Sequence, residues 1–462
     1  MSAARRPLVG LLIVGLGTGP AALDTSVNIA FPSMTASFAI ELGSIQWVVV
    51  CYMLTYGGLM LVFGKLGDLF GHRRVFRVGL AATAVGLLAC GLASSYGWLL
   101  AGRALQGVGI AITLSCGPAL AISLYPESLR TRALAAYGGL FAIGTALGPL
   151  LGGVLEARWG WSAVFFYRVP LALIALALSC ELPTGRSPRR SPGFDALSSA
   201  LLSLVIGSTL LALISLQWDT WLGGLLAMVA FAGIAAFVAR QRNATEPIIP
   251  VAAIRDAGLN GMHFASVAVN AASFAILLLV PYYLTDIAGL PAGWGGLLLS
   301  VSAVGSIAGS LLAGRLAPQL GSHRIARLGS FASAAGLAAI ASWSQRTEPL
   351  MQAAALLLQG AGLGLFLVAY SDLVIAAMPA KDRGVAGSLV MVMRTMGVVA
   401  GASGLSALFQ RAHQHALARG LLPPEALLAA FQSTFTCTWI GLVATLALSF
   451  AGPRIWLARS QR

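Results

Sequence analysis

LVGLLIVGLGTGPAALDTSVNIAF, Leu8 to Phe31, is a continuous apolar run holding a single carboxylate, Asp24. At ~1.5 Å of rise per helical residue it is long enough to cross a hydrocarbon layer ~30 Å thick, so it reads as a membrane-spanning helix. Burying a charge there costs roughly 2.5 kcal/mol or more unless the group is paired or protonated, which makes Asp24 a functional candidate from the outset.

The rest of the chain repeats the pattern. Of 462 residues 58% are hydrophobic and only 10% charged, and the mean hydropathy is +0.85. An ordinary soluble globular protein is excluded, and no alternating strand pattern suggests a barrel. The fold class is all-α integral membrane. Breaks at charges, Pro and Gly place spans near 8–31, 45–64, 77–95, 98–121, 132–154, 162–181, 197–217, 221–239, 261–284, 294–314, 325–343, 350–376, 385–409 and 434–455, about fourteen in all.

The formal charge of +14 is distributed one-sidedly. One set of loops carries clusters such as Arg5 and Arg6, Lys65 to Arg77, Arg186 to Arg190 and Lys381 to Arg383, and the other set only Arg158, Arg346, Arg411 and Arg419. The positive-inside rule puts both termini in the cytoplasm, in a multi-pass protein of a bacterial-type inner (plasma) membrane. The excess charge then contacts anionic lipid headgroups, and no nucleic-acid partner is expected. Arg5 and Arg6 before an apolar run resemble a signal peptide, but Asp24 interrupts the run and no small-residue cleavage site follows. Cys51, Cys90, Cys116, Cys180 and Cys437 fall within expected spans without metal spacing and read as small packing residues.

The polar stretches PTGRSPRRSP, Pro183 to Pro192, and Arg240 to Arg255 bracket the two central spans. The expected organisation is an N-terminal six-helix bundle over 1–182, linkers with two inserted spans over 183–258, and a C-terminal six-helix bundle over 259–462. A faint repeat supports the duplication: GKLGDLFGHRR at Gly64 to Arg74 against GRLAPQLGSHR at Gly314 to Arg324, with Pro318 in place of Asp68. Duplicated halves around a central cavity are a transporter architecture.

In GKLGDLFGHRR, Gly64 and Gly71 allow two helices to approach, and Asp68 is suited to the positive end of a neighbouring helix, for which the helix beginning near Val385 is a candidate. Such a contact would close the cytoplasmic side and break during transport. The alternative is that Arg73 and Arg74 merely anchor the loop.

This loop, with its GxLxDxxGxRR pattern, resembles the signature of the major facilitator superfamily. LDTSVNIAFP, Leu23 to Pro32, and QWVVVCYML, Gln46 to Leu54, resemble the first- and second-span signatures of its fourteen-span drug:proton antiporter branch. RALQGVGIA from Arg103, GTALGPLLGG at Gly144 to Gly153 and WGWSAVFFYRVP at Trp159 to Pro170 resemble the fourth-, fifth- and sixth-span motifs. The resemblance is dense over Leu23 to Pro170 and looser beyond, where PAKDRGVAGSLV, Pro379 to Val390, carries it. Arg168 departs from the branch, which usually has Asn there. The resemblance implies two six-helix bundles plus two extra central helices, and a proton-coupled exporter without cofactor or catalytic residues.

Depth links two of these motifs. Asp24 lies sixteen residues into an outward-running helix, ~24 Å from the cytoplasmic surface, and Arg103 lies roughly 7 Å below the outer surface on an inward-running one. Desolvation favours a protonated carboxyl and a guanidinium favours the carboxylate, so Asp24 beside Arg103 is suited to exchange a proton as its surroundings change. The structural alternative is a static buried pair that fixes packing.

In GTALGPLLGG, Gly144, Gly148 and Gly152 share a helix face and permit close packing with Gly153 beside them, while Pro149 bends the helix. In the resembling family this motif marks antiporters. Weaker cavity candidates are Asn28, Gln46, Gln106, Arg168, Asn270, Tyr282, Tyr370 and Arg394; Arg394 lies deep enough to require a carboxylate or carbonyl partner. Asp286 and Asp372 sit near span ends and read as wet. His413 and His415 read as outer-loop surface, with no metal site. GLGTG at Gly15 lacks a strand–turn–helix setting, and no GxxxxGK[ST] phosphate loop is present, so ATP-driven pumping is not encoded.

The sequence therefore reads as a secondary transporter, not an enzyme. It exchanges external protons for a small-molecule substrate, with amphipathic drugs, dyes or antibiotics the class that the resemblance implies. A dedicated exporter of one metabolite is the alternative, and a non-transporting sensor or scaffold a more distant one. The absence of an acidic residue in the span at 294–314 favours neutral or monovalent cargo over dications.

Overall fold

The computed structural model describes residues 5–41, 43–126, 129–182, 220–242, 257–377 and 383–451, with scattered positions between 201 and 215. All regular structure among them is helical. Eleven of the described helices are long and apolar enough to cross a membrane. The expected span at 197–217 lies largely outside the described residues, as does the linker at 183–192; each of the other spans falls on a helix.

The chain divides into two compact units, Met1–Ser208 and Thr209–Arg462. Unit 1 contains α1 (Arg5–Ala22), α2 (Ser26–Ile29), α3 (Phe31–Ser37), α4 (Gln46–Phe70), α5 (His72–Gly91), α6 (Tyr96–Ser123), α7 (Arg130–Trp159), α8 (Ala163–Phe166) and α9 (Val169–Leu178). Unit 2 contains α10 (Thr220–Arg242), α11 (Ala257–Tyr282), α12 (Ala292–Leu320), α13 (Ser322–Ala341), α14 (Pro349–Ala376), α15 (Arg383–Ala418) and α16 (Pro423–Ala451).

Two expected spans are interrupted. The first runs through α1, a single 3-10 turn at Leu23–Thr25, and α2. The sixth breaks between α8 and α9, with Pro170 in the first turn of α9, since proline has no N–H to bond the carbonyl four residues back, at Phe166, and its ring clashes there. At the other end of the chain, α15 and α16 extend beyond the expected bounds and shrink the intervening connection to a turn at Gly420, whose φ is +84°. His413 and His415 therefore sit on α15 and not in a loop, and the His413 ring stacks on Phe409 with centroids 6.1 Å apart. Cys180 and Cys437 are exposed and not packing residues.

The faint repeat extends into the packing. The junctions α4–α5 and α12–α13 turn on Gly71 and Gly321, at φ of +90° and +76°, a region open to glycine. Within unit 1 a Cβ placed on Gly86 would lie 2.6 Å from the backbone nitrogen of Gln106, and within unit 2 one on Gly336 would lie 2.6 Å from that of Gln359. Missing Cβ atoms thus bring α5 onto α6 and α13 onto α14 in one register. Similarly α11 packs on α15, α16 and α14 as α1 packs on α7, α9 and α6. Gln359 is the register equivalent of Gln106, and Leu356 that of Arg103. Leu356 is buried, so the second unit keeps the amide and replaces the charge by an apolar side chain.

Candidate functional site

Asp24 occupies the 3-10 turn between α1 and α2. Such a turn pairs each N–H with the third preceding carbonyl in place of the fourth, which turns carbonyls toward other partners. Pro20 lies in the last turn of α1, and its carbonyl accepts from Arg168 Nη1 at 3.2 Å. The Leu23 carbonyl accepts from the Tyr167 hydroxyl at 3.4 Å, and Asn28 Nδ2 donates to Thr25 O at 3.3 Å. Asn28, a cavity candidate from the sequence, thus holds the turn itself.

Arg103 forms a bidentate pair with this carboxylate, Nη1 to Oδ1 at 2.7 Å and Nη2 to Oδ2 at 2.9 Å. Its Nε donates to the Val48 carbonyl at 2.7 Å, and its guanidinium lies 4.2 Å above the Tyr52 ring. The planar fork is thereby fixed on three sides, the arrangement in which arginine loses least freedom per hydrogen bond. Gln106, three residues on and so on the same face of α6, accepts from Arg103 Nη1 at 2.8 Å and donates to Asp24 Oδ1 at 3.1 Å.

Sequence reading placed Arg168 only among weak cavity candidates. The break between α8 and α9 aims it at the same carboxylate, Nη1 to Oδ1 at 2.6 Å, while its Nε donates to Val164 O at 2.9 Å. Both arginines are fully buried, and the Asp24 side chain is 13% exposed. One negative and two positive side chains leave a formal charge of +1. Arg168 Nη2 is buried with no hydrogen-bond partner. Pro170 in RVP signals the break; nothing in the local sequence says that the side chain turns toward α1.

The glycine face of α7 lies against this turn. A Cβ on Gly144 would meet Ala22 Cβ at 2.7 Å, one on Gly152 would meet Ser26 Cβ at 2.8 Å, and one on Gly148 would overlap the Thr25 hydroxyl. That hydroxyl donates to the Thr145 carbonyl at 3.0 Å. Pro149 is inside α7, and Gly148, Pro149 and Gly153 are buried. The motif therefore packs directly on the residues that flank Asp24.

Other candidates lie apart from this centre. Gln46 is buried, with its Oε1 unpartnered. Asn270 donates to the Ser266 carbonyl at 2.8 Å, Tyr370 pairs with His263, and Tyr282 is buried at the end of α11. Arg394 departs from expectation: it is exposed, with no carboxylate or carbonyl partner among the described residues. Asp286 and Asp372 are exposed, as their positions near span ends suggest; Asp286 accepts from Thr285 and Asp372 from Ser322. The GKLGDLFGHRR motif, expected in a loop, lies on the last turns of α4 and the first turn of α5 about Gly71, and Arg73 Nη2 donates to the Cys180 carbonyl at 2.7 Å. The Asp68 side chain lies outside the described residues.

In place of the ionic centre, unit 2 has a neutral node. Gln359 accepts from the Ser302 hydroxyl at 3.2 Å and donates to Ser273 at 2.9 Å and Ser333 at 3.4 Å, tying four helices through uncharged groups. Among the described residues no three His, Cys, Asp or Glu side chains are grouped to hold a metal.

The family model described as Major Facilitator Superfamily matches residues 14–402. The Multidrug resistance protein Stp of Mycobacterium tuberculosis is 29% identical over 86% of this chain and 75% of its own length. The Tetracenomycin C resistance and export protein of Streptomyces glaucescens is 32% identical over 83% of this chain and 72% of its own. Among solved structures, a bacterial homolog of the human lysosomal transporter Spinster has a TM-score of 0.69 at 17% identity, covering 98% of both chains, which speaks to the fold alone.

Proposed function

The chain belongs to the major facilitator superfamily, and on that premise we propose that it is a proton-coupled antiporter that exports small amphipathic compounds such as drugs, dyes or antibiotics by alternating access. The observation that carries the reading is the buried carboxylate of Asp24, held by Arg103 and Arg168.

Protonating Asp24 in this arrangement would leave two buried guanidiniums without a counter-charge, which is costly in a low-dielectric interior. Proton uptake therefore requires at least one arginine to withdraw. Arg168 hangs from a broken helix and Asp24 from another, so the withdrawal is a backbone movement at two interrupted spans and not a rotamer change alone. Irregular backbone at membrane depth is tolerated where it lines a site buried in protein. The carboxylate state then reports which conformation the unit is in, and that is what coupling requires.

The glycines of α7 have a second role in this reading. They let α7 seal against the Asp24 turn, so that protons do not leak past it without a conformational step. The proposed topology has fourteen spans with both termini in the cytoplasm of a bacterial-type inner membrane, and Asp68 acts at the cytoplasmic gate. Lipid, protons and cargo are the partners.

The cargo class draws on relatives named for multidrug resistance and for resistance to and export of tetracenomycin C. The second of these supports a narrower reading, a dedicated exporter of a single compound. Inverted vesicles containing the protein, energised by an imposed pH gradient and challenged with a broad panel of cationic, neutral and acidic compounds, separate the two. Dissipation of the gradient by many compounds supports multidrug export, by one the dedicated reading, and by none argues against proton-coupled export.

A further inference from the structure

His263 on α11 is 8% exposed. Its Nδ1 lies 2.6 Å from the Tyr370 hydroxyl on α14, and the two rings meet edge to face with centroids 5.9 Å apart. Phe366 stacks on Tyr370 at 5.7 Å and fixes that ring. His263 Nε2 is buried and has no hydrogen-bond partner.

The dyad does not stand alone. His263, Ser266, Asn270 and Ser273 recur at helical spacing on one face of the mainly apolar α11, with Asn260 one turn before His263. Asn270 Nδ2 donates to the Ser266 carbonyl at 2.8 Å and reaches its hydroxyl at 3.4 Å. Ser273 receives a bond from Gln359. A polar seam thus runs along α11 from mid-span to His263, which lies ~9 Å from the start of its helix, as Tyr370 lies ~9 Å from the end of its own.

This seam joins α11 to α14, the pair equivalent to α1 and α6, where Asp24 meets Arg103. Each unit therefore carries a titratable contact at this equivalent helix pair, of different chemistry. In unit 1 it is an anion held by cations, and in unit 2 an imidazole with no ion pair among the described residues. Tyr370 is the titratable group that faces His263. Among the described side chains the other helices packed on α11 bring no charge to it: Arg315 on α12, His323, Arg324 and Arg327 on α13, Arg394 on α15 and Glu425 on α16 make no contact with the ring, nor does Asp372 on α14.

We propose that His263 is a second proton-binding site, placed on unit 2 at the end that faces the cytoplasm in the proposed topology. The proposal rests on the proton-coupled reading above. The proton adds to the Nε2 lone pair in the tautomer whose Nδ1–H donates to Tyr370, with no bond broken. The ring becomes a cation that the buried seam does not compensate, so its charged form belongs to an arrangement in which α11 and α14 have parted enough to admit water or an anion.

Imidazole nitrogen NMR of the full chain in nanodiscs, compared with His263→Gln to assign the signal, tests this directly across roughly pH 5 to 8, the window in which imidazole changes charge. The expected result is a His263 signal that titrates, with a midpoint that moves when a transported compound is added. In proteoliposomes, His263→Gln and Tyr370→Phe should each transport with an altered pH profile, His263→Gln exchanging fewer protons per molecule. A His263 signal that stays neutral across the window, or one that titrates while both variants keep the wild-type profile and proton ratio, overturns the proposal. Absence of proton exchange in wild type would defeat the broader reading, while the NMR titration judges His263 independently.

Discussion

Arg168 and Arg103 donate to the same Asp24 oxygen, Oδ1, at 2.6 and 2.7 Å. Two buried cations on one carboxylate set the balance between proton and arginine at this site, so removing one should move that balance in a known direction. Arg168→Asn leaves the bidentate Arg103 pair intact and brings the formal charge to zero. The pH profile of transport by the variant is predicted to shift toward alkaline pH, because Asp24 then competes for protons against one guanidinium in place of two. Transport rates measured from pH 6 to 9 in proteoliposomes check this; an unchanged profile would show that Arg168 serves only to brace the helix break.

Gly148 faces Thr25 with no room for a methyl group, whereas Gly139 on the same helix has nothing near the site of its missing Cβ. Gly148→Ala should lose most transport and destabilise the protein by about 1–3 kcal/mol, the usual cost of overpacking. Gly139→Ala should be near neutral in both respects. Thermal unfolding in detergent and vesicle transport distinguish the two variants.

Gly71 and Gly321 hold equivalent positions at φ of +90° and +76°. Alanine at either is strained by ~1–2 kcal/mol whatever space surrounds it, because the penalty arises in the backbone. Both variants should show a lowered melting temperature of similar size. A loss confined to Gly71→Ala would mean that the two junctions do not share one role.

Much of this arrangement was legible in the sequence. Apolar runs mark the spans, and a constant rise per residue brings Asp24 and Arg103 to matching depth. Gln106 reads from the sequence only as a weak cavity candidate; its bonds to Arg103 and Asp24 depend on how α6 meets the turn after α1. The place of Arg168 did not follow from the sequence, because an interrupted helix redirects a side chain in a way periodicity does not express. Nor did the packing of Gly148 on Thr25, since glycine spacing identifies a close-packing face without identifying what packs on it. His263 escaped for a related reason: its partner lies 107 residues away on another helix. For Arg394 the depth argument assumed a buried face, and the side chain is exposed.

The measurement closest to the central claim is counterflow in proteoliposomes with an imposed pH gradient, acidic on the side facing the outer half of the span, comparing wild type with Asp24→Asn. The side-chain amide has nearly the shape of the carboxylate and carries no exchangeable charge. The account predicts that wild type accumulates substrate against its gradient, while Asp24→Asn loses accumulation and at most equilibrates substrate. Undiminished accumulation by Asp24→Asn at the wild-type proton ratio would contradict it.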